Sequence, residues 1–598
     1  MNHIPFIPET APFSLEQRAW LNGFLAGMFS PGTAAVLNGA AAPAPAASAE
    51  PLYILFGSQT GTAEGLAKQL AKDSAQRGYT AKILALNDYE QANLPAAGKA
   101  VIISSTWGDG EPPDNAVNFW NWLKADSAPR LENLQYAVLG LGDKNYSDFC
   151  GASKKIDNRL EALGAKRVTP RGECDVDYEA PAKVWMEALW SKLGNGSAGS
   201  VNGAGVTAEA VLTDGAGAKS TPSAAPTYGK NHPFPARLLK NLPLNAAGSA
   251  KEVRHYEILL GQSGLTYEVG DALGVIPEND PAVVTAILQV IGASGDEPVA
   301  VDNQITSLTQ ALIKVYDVTK PTQELLECVA KLAPQSELAP LLAGDRAAEL
   351  KKWLYGRDVL DVLNLAGGKL PHAALLPLLR RLAARLYSIS SSPKAHPGEV
   401  HLTVGAVRYT SLGRERGGVA STFLADRVGV GGLVKVFVQP SHGFRPPTHG
   451  DTPMIMVGPG TGIAPFRAFL EERAATGAKG RNWLFFGDQK RSADFLYEEQ
   501  LTAWLQSGLL TRLDLAFSRD QAEKIYVQTR MLEQAAELWA WLEAGAHFYV
   551  CGDASRMAKD VDAALQQVIE TAGGKSVAEA QAYLARLKSE KRYQRDVY

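Results

Sequence analysis

The feature that most constrains this chain is a set of short apolar runs that each end in glycine, serine or aspartate. LYILFG (52–57), AVIISS (100–105), YAVLGLG (136–142), PMIMVGPG (453–460), NWLFFGD (482–488), TRLDLAFSRD (511–520) and HFYVCGD (547–553) have the length of strands. Their apolar character suits strands covered on both faces, and helical patterns lie between them. That alternation predicts parallel sheets with helices on both sides, one set near the start of the chain and one near its end. At roughly 150 residues per domain, 598 residues leave room for about two more units.

Two stretches have linker composition. Residues 39–51 are rich in Ala and Pro, and residues 194–227 in Gly, Ala, Ser and Thr. The second has too few large apolar side chains to offset its chain entropy. The predicted organisation is as follows. Residues 1–50 form a helical oligomerisation segment with a linker, its apolar face carrying Phe13, Leu15, Trp20, Leu21, Phe24, Leu25 and Met28. Residues 51–193 form the first α/β domain, and 194–227 a flexible linker. Residues 228–449 form a β-rich domain with RLYSIS, VHLTVGAV and LVKVFVQ as strands, interrupted at about 281–380 by a helical insert. Residues 450–598 form the second α/β domain.

Composition narrows the partners. Net charge is −4, from 59 basic and 63 acidic side chains, which disfavours a broadly basic nucleic-acid binder. No apolar window of about 20 residues is free of charge and proline, so no membrane helix is expected. The amino-terminal residues lack the pattern of a signal peptide. The four cysteines form no C-x-x-C pair, which points away from structural zinc or a disulfide framework and toward a reducing, cytoplasmic setting.

Three groups of loops carry nucleotide chemistry. In the first, LYILFG runs into Ser58, Gln59, Thr60, Gly61, Thr62 and Ala63, a small hydroxyl-rich turn that opens a helix and suits a single phosphate. It has no Lys-Ser/Thr pair of a Walker loop. The next two strand ends, at Trp107 and Tyr146, each offer an aromatic face to a planar ring at the carboxyl edge of a sheet. In the second group, Arg385, Tyr387 and Ser388 offer a guanidinium fork, a ring and a hydroxyl, and Gly418, Val419, Ala420 and Ser421 open a helix. In the third, GPGTG (458–462) begins a helix at a pyrophosphate-type turn. Ser518, Arg519, Lys524 and Tyr526 form a donor set for a dianionic phosphate.

Taken in order, these motifs resemble a flavodoxin-type FMN domain over 52–190, joined to a module of the ferredoxin–NADP reductase superfamily. The combination, with its insert, is similar to the diflavin reductases, and to the branch of them that feeds sulfite reductases. FSLEQRAWLNGFLAGM, DFLYEEQ and KRYQRDVY carry that closer likeness. The resemblance implies an α/β multidomain fold: a doubly wound flavodoxin-like domain, an antiparallel β-barrel FAD domain with a helical insert, and an α/β NADP domain. It implies FMN contacts from Ser58, Gln59, Thr60, Gly61, Thr62 and Ala63, and ring contacts from Ser105, Thr106, Trp107 and Gly108. Further ring contacts would come from Leu141, Gly142, Asp143, Lys144, Asn145, Tyr146, Ser147, Asp148, Phe149 and Cys150. FAD would be held by Arg385, Leu386, Tyr387, Ser388, Thr403, Val404, Gly405, Tyr409, Gly418, Val419, Ala420 and Ser421, with a weaker match at Thr319. NADPH would be held by Ser518, Arg519, Lys524, Ile525, Tyr526, Val527, Gln528 and Asp560, with Gly460 and Thr461 at its pyrophosphate. Ser388, Cys551 and Asp596 would surround the reacting nicotinamide, and Tyr598 would cover the FAD ring.

The activity this implies is passage of electrons from NADPH through FAD and FMN to a separate acceptor. No cysteine cluster is present for an iron–sulfur centre, so the expected acceptor is a siroheme and iron–sulfur hemoprotein subunit that reduces sulfite to sulfide. The rival within the family is a soluble reductase serving a cytochrome P450 or another haem acceptor. A rival of another class is a non-catalytic assembly protein, which the intact SQTGTA, RLYS and GPGTG loops disfavour.

Overall fold

The computed structural model describes residues 50–58, 61–106, 110–142, 148–175, 178–194, 228–302, 304–343, 346–441 and 443–598. The expected amino-terminal helical segment and nearly all of the linker at 194–227 lie outside them.

The first unit is a parallel sheet built from β1 (Glu50–Gly57), β2 (Tyr79–Ala85), β3 (Lys99–Ser105), β4 (Gln135–Leu141) and β5 (Lys166–Arg167), in the order β2-β1-β3-β4-β5. The short β6 (Gly172–Cys174) pairs with β4. This is the flavodoxin-like strand order. Its helices are α1 (Thr62–Ala75), α2 (Val117–Lys124), α3 (Gly151–Ala162) and α4 (Glu179–Leu193). Alternate residues of each strand feed two cores. Ile54, Val101, Ile103 and Leu139 meet Leu66, Trp185 and Leu189 on one face. Leu55, Ile102, Tyr136 and Val138 meet Phe119, Leu123 and Ile156 on the other. Burial on both faces is why these strands read as continuous apolar runs.

The second unit is antiparallel. β7 (Phe234–Pro243), β8 (Val253–Leu259), β9 (Ala272–Ile276), β12 (Arg385–Ser388), β13 (Glu399–Gly405) and β16 (Leu433–Gln439) follow the order β12-β9-β16-β7-β8-β13. A bridge between Ile389 and Leu402 joins the two ends, closing the sheet into a barrel around Leu238, Tyr256, Leu273, Val404 and Leu424. Between β9 and β12 the chain builds a mostly helical insert with its own core. It contains α5 (Pro281–Ile291), the hairpin β10 (Pro298–Val301) and β11 (Gln304–Ser307), α6 (Leu308–Lys314), α7 (Gln323–Leu332) and α8 (Val359–Ala366). α5 starts where Asp280 accepts from the Ala282 N–H with Pro281 at the first helical position, and stops at Gly292 in left-handed backbone. A second hairpin, β14 (Arg408–Ser411) and β15 (Arg414–Gly417), is clamped to the start of α8. There Arg414 and Arg416 both bond to Asp358 and Asp361 at 2.6–2.8 Å.

The third unit is a parallel sheet in the order β19-β18-β17-β20-β21, from β17 (Met454–Val457), β18 (Asn482–Asp488), β19 (Arg512–Phe517), β20 (His547–Gly552) and β21 (Tyr593–Val597). Its helices are α9 (Ala464–Thr476), α10 (Glu498–Ser507), α11 (Val527–Glu533), α12 (Ala535–Glu543), α13 (Met557–Thr571) and α14 (Val577–Ser589). Among the described residues no helix is long and apolar enough to cross a membrane.

The second and third units share a polar seam. Arg467 on α9 donates to the Ser390 carbonyl at 2.6 Å and pairs with Glu471 at 2.8 Å. Glu471 accepts from the Ser392 N–H, and Glu472 from the Ser392 hydroxyl and Lys394. Tyr497 bonds His255 on β8 at 2.8 Å and Thr403 on β13 at 2.7 Å. This seam fixes the end of β12 against the carboxyl edge of the third sheet.

Candidate functional site

In the first unit the strand ends converge. Gly57 lies opposite Ser104, and Ser105 opposite Leu141, so Ser58, Thr106 and Gly142 leave the sheet side by side. Here β1 and β3 send their connections to opposite faces, the switch point where doubly wound sheets bind ligands. The Ser58 N–H donates to Asn115 at 2.8 Å, and its hydroxyl accepts from the Ala63 N–H at 3.2 Å. Gly61 caps α1 at φ 85°, a conformation costly for other residues. The Ser105 hydroxyl donates to the Gly57 carbonyl at 3.3 Å. The Thr106 hydroxyl is buried with no partner, so this edge has an unspent donor. A Cβ on Gly142 would meet the Cys150 N–H nitrogen at 2.8 Å and the Phe149 ring at 3.0 Å, so that loop is closely folded. Asp148 lies beside Gly110 and Gly151. Cys150 turns away from the edge: it is fully buried, its thiol faces the Cys174 carbonyl, and burial pushes it up to about 12. These hydroxyl and N–H groups fit a phosphate. Gln59, Thr60, Trp107, Gly108 and residues 143–147 (Asp143, Lys144, Asn145, Tyr146 and Ser147) lie outside the described residues.

In the second unit Arg385 and Tyr387 alternate with Leu386, which is exposed. Arg385 Nη1 donates to the Ala383 carbonyl at 2.7 Å, which fixes the base of the fork. Gly418 donates to Val407, and the Ser421 hydroxyl bridges the Val407 N–H and the Gly418 carbonyl, shaping the start of the turn through Val419 and Ala420. Tyr409, half exposed, stands on β14 beside this turn. Strand alternation changes the reading of β13. Val404 enters the barrel core and the Thr403 hydroxyl is taken by Tyr497, so both reach a ligand only through backbone. Gly405 lies next to Thr461. The Thr319 hydroxyl donates to Asp317, which pairs with Arg380, so it is spent inside the insert.

The third unit brings Cys551 and Asp596 together with Ser388 of the barrel. Cys551 and Asp596 are register partners on β20 and β21. The Ser388 hydroxyl, from β12 of the barrel, donates to Asp596 Oδ2 at 2.6 Å, and Cys551 Sγ lies 3.8 Å from the same oxygen. Burial raises the Asp596 carboxyl above its ordinary range, against the pull of Ser388. Burial, then Asp596, pushes the Cys551 thiol well up, so it is held as a neutral thiol. Gly462 is required: a Cβ there would lie 2.1 Å from the Cys551 carbonyl. The Tyr598 hydroxyl meets Thr461 at 2.9 Å, and its N–H donates to Gly552.

Along the same edge, the Ser518 and Arg519 N–H groups donate to the Asp488 and Gln489 carbonyls, which sets the turn after β19. Arg519, Lys524 and Tyr526 are exposed on it. Gln528 donates to Asp560 at 3.3 Å, at the head of α13. Val527 and Ile525 point down into the core under β19, so this run offers alternate residues rather than five in a row. Arg467, Tyr497, His255, Lys251 and Asp488 were not singled out in the sequence. Tyr497 sits within the distinctive DFLYEEQ, and that was the available signal.

The chain matches the flavodoxin family over residues 54–185, the FAD binding domain family over 226–423 and the oxidoreductase NAD-binding domain family over 456–563. It is 45% identical over 590 residues to the sulfite reductase [NADPH] flavoprotein alpha-component of Bacillus subtilis, covering 97% of this chain and 95% of that protein. The protein of the same name from Vibrio cholerae is 45% identical, covering 98% and 93%. That from Klebsiella pneumoniae is 42% identical, covering 100% and 99%. The chain belongs to the family of NADPH-dependent sulfite reductase flavoprotein alpha-components.

Proposed function

We propose that this chain delivers electrons from NADPH, through FAD and FMN, to a siroheme and iron–sulfur hemoprotein subunit that reduces sulfite to sulfide in a cytoplasmic, assimilatory reaction. Bound flavins supply the conversion of a two-electron hydride gift into single-electron transfers. The observation that carries the reading is the meeting of Ser388, Cys551 and Asp596 from two modules at one point.

In this reading Ser388 presents a hydroxyl held by Asp596, a donor–acceptor pair that would line the place where the nicotinamide binds. Neutral Cys551 supplies a small uncharged wall that a thiolate would not. Tyr598 would cover the FAD ring. Arg385 and the turn at residues 418–421 would hold the FAD pyrophosphate. Ser518, Arg519, Lys524 and Tyr526 would hold the 2′-phosphate of the coenzyme. Trp120 and Lys124 of the FMN unit and Ala558 and Lys559 of the third unit line one cleft, and parting of the units there would free the FMN unit for an external acceptor. The segment 194–227 would tether that movement, and residues 1–50 would join copies of the chain. The test is reconstitution: the purified chain, mixed with a siroheme hemoprotein, should support sulfite-dependent NADPH oxidation. Robust reduction of a P450 with none of sulfite would favour the rival acceptor.

A further inference from the structure

The hairpin of β14 and β15 leads straight into the turn at residues 418–421, and two parts of the helical insert grip it. Asp358 and Asp361 form a capping box at the start of α8: each carboxylate accepts the other's backbone N–H, at 2.9 and 3.0 Å. Their remaining lone pairs face the hairpin. Arg414 reaches one oxygen of each carboxylate, at 2.7 and 2.8 Å, and Arg416 the other oxygen of each, at 2.6 and 2.8 Å. Arg416 is buried, its side chain 6% exposed, and it also donates to the Ser411 carbonyl across the hairpin. Just before α8, Gly356 lies so close to the Ser411 hydroxyl that no side chain fits there.

The second grip comes from the start of the insert. Arg427 donates to the Glu278 carbonyl, which precedes α5, at 2.9 Å, and to the Val419 carbonyl within the turn at 3.1 Å. Arg408, at the base of the hairpin, donates to Asp426 at 2.7 and 2.8 Å and to Glu252 at 2.7 Å. The turn is thus held upstream by Arg416 and downstream by Arg427. It has little slack of its own: a Cβ on Gly418 would lie 2.6 Å from the Ser421 hydroxyl and 3.0 Å from Val407. A buried quartet of two guanidinium and two carboxylate groups adds little stability over apolar packing. What it does add is direction, because paired forks fix distance and angle together and keep the hairpin from sliding along α8.

We infer that Arg416, held by Asp358 and Asp361, is a positioning residue for FAD: it passes the placement of the insert to the turn that would hold the FAD pyrophosphate. The inference rests on the reading of that turn given above. The core of the insert is separate from the barrel core, and the arginines couple the two through polar contacts of fixed geometry. Losing the clamp would leave both cores intact and let the hairpin, with its turn, take up several orientations. The backbone N–H groups of the turn would then be correctly placed only part of the time, and FAD affinity falls by that fraction. FMN and the coenzyme would bind in other units, which the clamp does not touch.

The test is release of FAD from the full, flavin-loaded chain on serial dilution, with protein-bound FAD and FMN separated and quantified. Arg416→Gln should weaken FAD about 5- to 30-fold and leave bound FMN unchanged. Arg416→Lys, which keeps the charge but not the fork, should recover only part of the loss. Asp361→Asn, which keeps an acceptor for the cap and loses the charge, should weaken FAD by a smaller factor. Arg346→Gln, which breaks the exposed Arg346–Glu349 pair of the same insert, should leave FAD bound as before. A role in stability alone predicts a lower melting temperature with unchanged FAD affinity below it, and that result overturns the inference, as does equal loss of FMN. Should Arg416→Gln not fold, Asp361→Asn decides by the same criterion. Failure of the unaltered chain to bind FAD would instead overturn the flavin reading itself.

Discussion

Replacing Asp596 by Asn separates what the reacting cluster needs from what the fold prefers. The Ser388 hydroxyl donates to Asp596 across 2.6 Å, and a hydrogen bond to a charged partner contributes about 1.5–3 kcal/mol. Asn keeps an acceptor at that place but a neutral one, roughly half as strong, so about 1–2 kcal/mol of positioning is lost. Flavin reduction by NADPH should slow about 5- to 30-fold. Stability should move the other way. Burial raises this carboxyl's pKa in the folded chain, so its ionised form costs stability at neutral pH. For a raised carboxyl that stability is present in acid and lost as pH rises through the folded value. The Asn side chain carries no such cost, so the variant should be more stable at pH 7. The gap should close toward pH 4. Anaerobic stopped-flow at the flavin absorbance and melting curves at the two pH values measure both effects. A variant that is less stable at pH 7, or one that is reduced at the normal rate, would refute the reasoning.

Acid should weaken the seam between the barrel and NADPH units. Burial, with Arg467, holds His255 down to about 4 and His401 to about 2, so both are neutral when folded and stabilise fully above the ordinary histidine value of about 6.5. That stability is lost as pH falls from 6.5 toward 4, and His401→Gln should show a shallower fall in melting temperature; identical slopes would count against it. Arg519→Ala should raise KM for NADPH about tenfold and leave KM for NADH nearly unchanged, and equal losses would show that it does not meet the 2′-phosphate. Removing Tyr598 should raise kcat/KM for NADH relative to NADPH, because NADH lacks the phosphate that helps displace the tyrosine. An unchanged ratio means that Tyr598 does not cover the ring.

The strand ends were legible because chemistry and local pattern coincide there. SQTGTA and GPGTG each join an apolar strand to a helix start, and RLYS is itself a strand at the end of its sheet. Alternation corrected the finer reading. Val404 and Val527 stand inside motifs, but a strand on one side and a helix entry on the other turn them into cores. The Ser388–Asp596 bond joins residues 208 positions apart and was reached only through family resemblance. The Lys251–Asp488 ion pair and the His255–His401 contact had no such guide. Their partnership depends on which face of β8, β13 and β18 meets a loop from elsewhere, a matter of three-dimensional register rather than spacing.

The proposed hydride centre is split between two sheets: Ser388 ends a barrel strand, while Cys551 and Asp596 lie at the ends of strands of the parallel sheet. Neither sheet is a complete oxidoreductase, and the seam of Arg467, Glu471 and Tyr497 sets the alignment between them. Recombination between relatives therefore meets a sharp boundary. A crossover between the barrel and the third sheet would bring together a serine and an aspartate shaped by different seams. A crossover near residue 228 would exchange the flavodoxin unit as a cartridge and leave the centre whole. Chimeras of this family should tolerate the second kind of exchange and lose coenzyme oxidation with the first.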